Sequence, residues 1–554
     1  MPRFAALDLG SNALRLRIVE AHGTASSREQ LSLLPEASAV YREITSLRSP
    51  VRLGSEVFVT GRLATASIGQ ACAALKEFRE AMDGAKVDAY RATATSAVRE
   101  ASNGTTLVER ARREAGIELE VIEGVEEARL IQLAVVRRLG LGDKRAILVD
   151  VGGGSTEITY MDRGRNAFSM SLPIGTVRLL ETYLRGAKTV DRTRQKLLFE
   201  SIDRALAEAR SAKKMPFEVM VGTGGSVDTL CELSPMKGGD AGYPRAVEVS
   251  AMKGLLGKLF AMTVDQRRDT HGLRPDRADT IVPAASIFLR AAEQLGATAI
   301  VAPGVGLKEG ILEELIDKYF DRWDRESETR TVVDACVRLG HRYGFDQAHG
   351  ELVATHAMCL FDDLAKVHRL GERDRLLLRA AAVLHDIGDY VRYDGHHKHS
   401  YYLIQHSDIM GLSRDERAIV ANVARYHRKS PPDPSHPNFR DLDKDARARV
   451  RSMAAILRIA DALDREHQGK VKSVRAVVED NKGRVQLHIT GDEERELEEW
   501  TVRAKSDLLR DVLDLEIGVV PDTQKPSQRS EAVVPGGPTS QRAPKAASEL
   551  PREK

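Results

Sequence analysis

Two short apolar runs, residues 4–9 and 146–151, carry the same order of hydrophobic and polar positions. Each has an aspartate as its next-to-last residue and continues into a turn of small residues: Asp8 leads to Gly10-Ser11-Asn12, and Asp150 to Gly152-Gly153-Gly154-Ser155-Thr156. An apolar run of this length predicts a buried strand. A glycine-rich turn after it lets the backbone approach a phosphate closely and turn its N–H groups toward the anion. The repeat predicts two similar lobes facing each other across a phosphate-bearing ligand.

Hydrophobic periodicity divides the rest of the chain. Residues 1–124 alternate strand-like segments (4–9, 14–20, 87–93) with helical ones (61–82, 105–115), which predicts an α/β lobe. A second lobe, 125–318, opens with a helix over 125–139, and its later strands at 218–221 and 299–301 each end in a glycine-containing turn. From 319 to 470 the pattern is nearly continuous helix, and thirteen of the fifteen histidines lie between His341 and His488, which marks a separate domain with candidate metal chemistry. Residues 471–520 return to β-like alternation followed by charged helix, predicting a small α+β unit. The tail, 521–554, is rich in Pro, Ser, Gln and Lys with few large apolar groups, and disorder is expected there.

Composition narrows the function class. A chain of 554 residues is too long for one core. Its 83 Lys and Arg nearly balance 81 Asp and Glu, so no global field attracts nucleic acid, and any polyanion site must be local. Cys72, Cys231, Cys336 and Cys359 form no CxxC pair, which argues against a disulfide framework and a cysteine zinc site and fits a reducing cytoplasm. With no apolar run of membrane-spanning length and no signal-peptide core before Asp8, a cytoplasmic location without membrane contact is expected.

Four phosphate-loop candidates follow apolar runs in order: the Asp8 turn with Ser11 and Asn12; the Asp150 turn with Gly152, Gly153 and Ser155, continuing to Glu157; Gly222-Thr223-Gly224-Gly225-Ser226; and Pro303 to Gly310. Asp8, Asp150 and Glu157 are oxygen ligands of the kind Mg²⁺ takes, while loop amides and the Ser155 hydroxyl suit phosphate oxygens. Between the lobes, Glu126 and Glu127 open a helix. Acids there complement the helix dipole, but two adjacent side chains point in different directions, so one can cap while the other faces a cleft. Arg99, Arg15 and Arg17 would flank the turns.

The ordered motifs DLGSN, ATSAVRE, EGVEEARLI, DVGGGSTE, GTGGS and GLKEGIL, spread over residues 1 to 315, resemble the exopolyphosphatase and guanosine pentaphosphate phosphohydrolase family. The resemblance implies an α/β fold of two actin-like (ribonuclease-H-like) lobes, hydrolysis of a terminal phosphoanhydride, and a homodimer. It casts Glu127 as the residue that activates water, with Asp150, Gly152, Ser155 and Glu157 binding metal and phosphate. Arg15 and Arg17 stand where the family's pattern leads one to expect apolar or neutral residues.

In the helical region His349, the pair His385-Asp386 and Asp461 occur in an order that resembles the HD metal-dependent phosphohydrolases. His356, seven residues beyond His349, shares its helix face and is an alternative first ligand, although its neighbours favour His349. The implied domain is an all-α HD-like unit. Its histidines either hold an additional divalent metal or are satisfied core residues beneath a basic surface that extends a polyphosphate channel.

These readings converge on an Mg²⁺-dependent exopolyphosphatase that releases orthophosphate from inorganic polyphosphate. Guanosine pentaphosphate 5′-phosphohydrolase is the alternative within the family, since both substrates, and guanosine tetraphosphate as a further nucleotide partner, bring phosphates to the same turns. A catalytically inactive polyphosphate- or nucleotide-binding regulator is the alternative of another class, opposed by the intact Glu127, Asp150 and Glu157. An actin-like kinase would need an adenosine pocket that residues 222–226 do not establish.

Overall fold

The computed structural model describes residues 1–21, 41–209, 215–236, 245–320, 324–479, 483–492 and 494–521. The tail beyond residue 521, expected to be disordered, lies outside the described residues.

Strands β1 (Arg3–Leu9), β2 (Leu14–Ala21), β3 (Tyr41–Ser49), β4 (Ala89–Ala94) and β5 (Leu119–Val121) form a sheet in the order β3-β2-β1-β4-β5. The first three are an antiparallel meander, and β4 and β5 run parallel to β1. A second sheet repeats this plan. Strands β6 (Arg145–Val151), β7 (Thr156–Asp162) and β8 (Arg165–Leu172) are the meander, β9 (Val219–Thr223) and β11 (Ala299–Val301) are parallel to β6 or to each other, and β10 (Ala246–Glu248) adds an antiparallel edge. The predicted pair of similar lobes is present, with mixed sheets. Sequence periodicity does not mark β3, β5, β7, β8 and β10.

Strands β1 and β6 are apolar throughout because both faces of each are covered. Ala5, Leu7 and Leu9 pack into the first lobe's own core, while Phe4 and Ala6 point to the other side. In β6, Ile147, Val149 and Val151 face the second lobe's core, and Ala146 and Leu148 join Phe4 and Ala6 in a shared cluster. Two helices, Gly124–Leu139 and Leu307–Tyr319, fill that cluster with Leu130, Ile131, Val135, Leu307, Ile311, Leu312 and Ile316. The second of them was grouped by sequence with the second lobe, yet it packs on β1 and β4 of the first.

From Arg325 onward the chain is helical up to a three-stranded sheet of β12 (Val471–Glu479), β13 (Arg484–Gly491) and β14 (Glu516–Pro521). One hydrophobic cluster runs from Val332 through Leu463 to Val471, Leu487, Val502 and Leu509. The expected α+β unit therefore shares the helical region's core and has none of its own. The parallel strand β14 lies just beyond the charged helix expected there and is not marked by the sequence pattern.

The two interlobe helices approach so closely that a Cβ on Gly310 would meet the Leu130 carbonyl oxygen at 2.0 Å. Gly310→Ala should therefore destabilise the protein by about 2 kcal/mol or more, through backbone displacement that overpacking forces. Gly69→Ala, in the helix Thr65–Gly84 with open space around it, should be neutral or stabilise by up to about 1 kcal/mol. Thermal unfolding of the two variants checks both.

Candidate active site

The repeated hairpins differ at the register position of their aspartates. In the first lobe the residue paired with Asp8 is Arg15, and its Nη1 donates to Asp8 Oδ2 at 3.2 Å. In the second lobe the residue paired with Asp150 is Glu157. Two carboxylates thus stand opposite each other where the other lobe has an ion pair. Glu127, near the start of the helix Gly124–Leu139, is the third member of the group. Glu127, Asp150 and Glu157 each offer an oxygen within 4.8 Å of the others, and all three are buried.

Hydroxyls hold part of this charge. Thr223 Oγ1 donates to Asp150 Oδ1 at 2.6 Å, and Ser171 Oγ to Glu157 Oε1 at 2.7 Å. Glu127 Oε2 and Glu157 Oε2 are buried and have no hydrogen-bond partner. Burial, reinforced by the neighbouring carboxylates, raises the Glu127 pKa well above its usual range. Burial and then Asp150 push Glu157 up to about 7, and burial pushes Asp150 up to about 6 against the Thr223 hydrogen bond. An all-oxygen donor set with two unpartnered oxygens fits Mg²⁺. Asp8, expected among these carboxylates, is instead neutralised by Arg15, although its charge still raises the Asp150 pKa.

The adjacent glutamates divide their work as their different directions allow. Glu126 binds Arg129 at 2.7 Å and Arg91 at 3.2 Å, in a network completed by Glu314, while Glu127 turns toward Asp150 and Glu157. The helix's N-cap residue, Glu123, lies 3.7 Å from Arg99 and 3.5 Å from Arg417 of the helical region, so that region reaches the start of the helix that carries Glu127. Arg99 also donates to the Ile122 carbonyl at 2.6 Å.

The phosphate turns of the two lobes touch. A Cβ on Gly153 would meet Ser11 Cβ at 2.8 Å, and one on Gly154 would meet Phe58 at 2.2 Å and Ser96 Oγ at 2.4 Å. Ser11 and Ser96 hydroxyls are 2.9 Å apart. Gly152 N–H closes its turn on the Ser155 carbonyl at 3.0 Å, as Gly10 N–H does on Ala13 at 3.2 Å. Gly224 has φ +89°, and its place against the Val151 carbonyl excludes a side chain. Gly225 and Ser226 lie against Arg277, which donates to the Ser226 hydroxyl.

Beside Asn12 the lobes are latched. Arg52 bonds Asn12 Oδ1 at 2.8 Å and Asp279 at 2.7 Å, and Arg48 pairs with Asp276. Arg277 is depressed to about 10, first by burial and then by Arg15, Arg274 and Arg48, so several cations crowd this side. Sequence reading missed Thr223 as a partner, Ser171, Arg277 and the latch. Thr223 stood inside a motif already singled out; the others lacked any local signal. Arg17 turns from the site to Glu43 and Glu309.

In the helical region, His349, His385, Asp386 and Asp461 come together, and His356 does not join them. Burial lowers the His356 pKa to about 4, which makes it a neutral core residue.

A pair of actin-like lobes with acidic and glycine-rich turns meeting at their interface defines a phosphate-handling fold. Residues 36–319 match the Ppx/GppA phosphatase family and residues 332–511 match Ppx/GppA phosphatase, domain III, and the chain belongs to this family. It is 27% identical over 437 residues to the guanosine-5′-triphosphate,3′-diphosphate pyrophosphatase of Photobacterium profundum, covering 77% of this chain and 81% of that protein. The protein of the same name from Vibrio campbellii is 26% identical over the same shares. Among solved structures, an exopolyphosphatase from Cytophaga hutchinsonii superposes with a TM-score of 0.51 at 25% identity, covering 57% of this chain and 98% of that one. Among the described residues no helix is long and apolar enough to cross a membrane.

The raised carboxylate pKa values have a stability consequence in metal-free protein. Unfolded carboxylates titrate near pH 4, so between there and about pH 7 the folded state binds more protons, and stability falls as pH rises through that window. In a chelator, the melting temperature should decline from pH 5 to pH 7.5, and Glu157→Gln should flatten the decline. An unchanged slope in the variant would remove Glu157 from the coupled group.

Proposed function

We propose that this chain hydrolyses the terminal 5′-phosphoanhydride of guanosine pentaphosphate, releasing orthophosphate. The buried Glu127 carboxylate, with an unpartnered oxygen beside Asp150 and Glu157 at the meeting point of the phosphate turns, carries the hydrolytic part of this reading. The nucleotide part draws support from the two relatives named for that substrate, whose similarity extends over 77% of the chain. The polyphosphate reading draws support from the Cytophaga exopolyphosphatase, which matches 57% of the chain. It stands second.

Phosphoryl transfer asks mainly for position and charge compensation. Asp150 and Glu157 would hold Mg²⁺, which supplies charge neutralisation at the phosphate oxygens and acidifies a bound water. The amides of residues 153–155 and of the Ser11-Asn12 turn would orient the terminal phosphate, and Gly224, Gly225 and Ser226 would border its neighbour. Arg99, beside the helix start, adds positive charge at the same place. Glu127 would accept the proton of the attacking water at Oε2, and its raised pKa makes it a stronger base than an exposed glutamate. Ser171 and Thr223 keep Glu157 and Asp150 fixed while this happens.

Phosphate release from guanosine pentaphosphate, long-chain polyphosphate and ATP, each with and without Mg²⁺, tests the reading. The nucleotide should be converted to guanosine tetraphosphate with the highest kcat/KM. Rapid polyphosphate cleavage with the nucleotide left intact would replace it by the exopolyphosphatase reading. Glu127→Gln should lower kcat by about 10² to 10⁴ while substrate binding persists, as removal of a general base does. Asp150→Ala should instead raise the Mg²⁺ concentration needed for half-maximal rate, and an unaltered metal titration would take Asp150 out of that role.

A further inference from the structure

Arg417, on the helix Arg414–Arg425, is where the helical region meets the helix that carries Glu127. It is only 7% exposed, yet its ion pairs are long. Its Nη2 lies 3.5 Å from Glu123 Oε1, its Nη1 3.5 Å from Asp408 Oδ1, and its Nε is buried without a hydrogen-bond partner. Taking a guanidinium out of water is costly unless it is paired and fully bonded, so contacts this loose make Arg417 a poor glue between regions. What it does supply to the lobes is a buried positive charge.

That charge falls on Glu123. As the N-cap residue of the helix Gly124–Leu139, Glu123 makes no capping hydrogen bond with its side chain; its backbone carbonyl accepts from the Glu126 and Glu127 N–H groups at 3.1 and 3.0 Å. Its carboxylate is left to two arginines. Oε1 faces Arg417 and Oε2 lies 3.7 Å from Arg99 Nε, and among the described residues these are its ion-pair partners. Asp408 competes weakly for Arg417, since its side chain is 54% exposed against 25% for Glu123. Arg99 in turn donates to the Ile122 carbonyl at 2.6 Å, and its charge opposes the rise that burial produces in the pKa values of Glu127 and Glu157. Charges therefore alternate from the helical region into the site: Arg417, Glu123, Arg99, and then the facing carboxylates.

The helical region holds its end of this row in place. Ser413 Oγ accepts from the Glu416 N–H at 3.2 Å and Glu416 Oε2 accepts from the Ser413 N–H at 2.9 Å, a reciprocal cap that fixes the helix start just before Arg417. Arg373, on the helix Glu372–Leu384, grips Glu416 at 2.6 Å and the Gly411 carbonyl at 2.7 Å. Gly411 has φ +84°, and a Cβ there would meet Val332 Cγ2 at 2.7 Å. Arg417 thus reaches Glu123 from a fixed base.

We propose that Arg417 is a positioning residue for phosphate capture: by neutralising Glu123 it keeps Arg99 from closing on that carboxylate and leaves the Arg99 guanidinium to the terminal phosphate. The role depends on Arg99 serving the phosphate, as in the function proposed above. Glu123 and an incoming phosphate compete for the same guanidinium, since both offer the anionic oxygens that arginine binds. A carboxylate already facing a second cation competes less. The helical region then acts on the chemistry of the lobes without touching the substrate.

The test is calorimetric binding of inorganic tripolyphosphate with Mg²⁺ to the full-length chain carrying Glu127→Gln, which prevents turnover. Adding Arg417→Ala should weaken binding about tenfold, the scale of coupling within an ion-pair network. Arg417→Lys, which keeps the charge, should recover part of that loss. Arg417→Ala combined with Glu123→Gln should return to the parent affinity, because the uncharged amide no longer draws Arg99. In an Arg99→Ala background, Arg417→Ala should have no further effect. Unchanged affinity in Arg417→Ala, no recovery with Glu123→Gln, or the full loss repeated without Arg99 would overturn the proposal and leave Arg417 a structural contact. Circular dichroism monitors folding, and Arg417→Gln replaces the alanine variant if that variant is misfolded. Tripolyphosphate carries the phosphate end common to guanosine pentaphosphate and polyphosphate, so a wrong choice between those substrates shows in turnover by the unmodified chain and leaves the binding cycle intact. Arg99→Ala binding as tightly as the parent would remove Arg99 from the phosphate site and this role of Arg417 with it.

Discussion

Two carboxylates facing each other across the β6–β7 hairpin, where the twin hairpin has an ion pair, are the constraint around which the lobes are arranged. Buried like charges at one register position are unstable by themselves, because burial and mutual repulsion both disfavour ionisation. Everything near Asp150 and Glu157 answers that cost. Thr223 and Ser171 donate hydroxyls, and the unpartnered oxygens call for a cation or a proton. The first lobe solves the same problem with Arg15, which leaves it as the supporting half of a pseudo-symmetric pair.

The interlobe helices make that arrangement rigid. Their side chains belong to neither lobe's private core but to the cluster that both sheets share. The buried network of Arg91, Glu126, Arg129 and Glu314 ties the start of one helix to the middle of the other, with Glu314 held at about 2 by these arginines and Lys318 despite its burial. Glu126 anchors the helix so that Glu127, one residue later, is presented to the cleft. Arg417 on Glu123 extends this anchorage to the helical region.

Strong, local patterns were legible in the sequence: the two Asp-turn repeats, the order of the phosphate motifs, and a histidine-rich helical region. The architecture of two similar lobes followed from them. Partners remote in sequence were not legible. Asp8 looked like Asp150 because each sits at the end of an apolar run, and only strand register shows that Arg15 cancels one while Glu157 intensifies the other. Exposed, polar β3 carries little hydrophobic alternation, and β14 follows helices so closely that its periodicity merges with theirs. Among the histidines, His349 and His385 were found through their spacing to an HD pair. His396 and His427 were not, because their convergence on Asp386 depends on how two further helices pack.

The latch beside Asn12 gives the cleft an unusual dependence on its solvent. Arg48–Asp276 and Arg52–Asp279 join the lobes through side chains that are each 15 to 24% exposed, so dissolved ions reach them. Added salt loosens this latch, whereas the buried network of Arg91, Glu126, Arg129 and Glu314 at the other joint is screened far less. The two joints between the lobes therefore respond unequally to ionic strength, and the latch is the one that yields first.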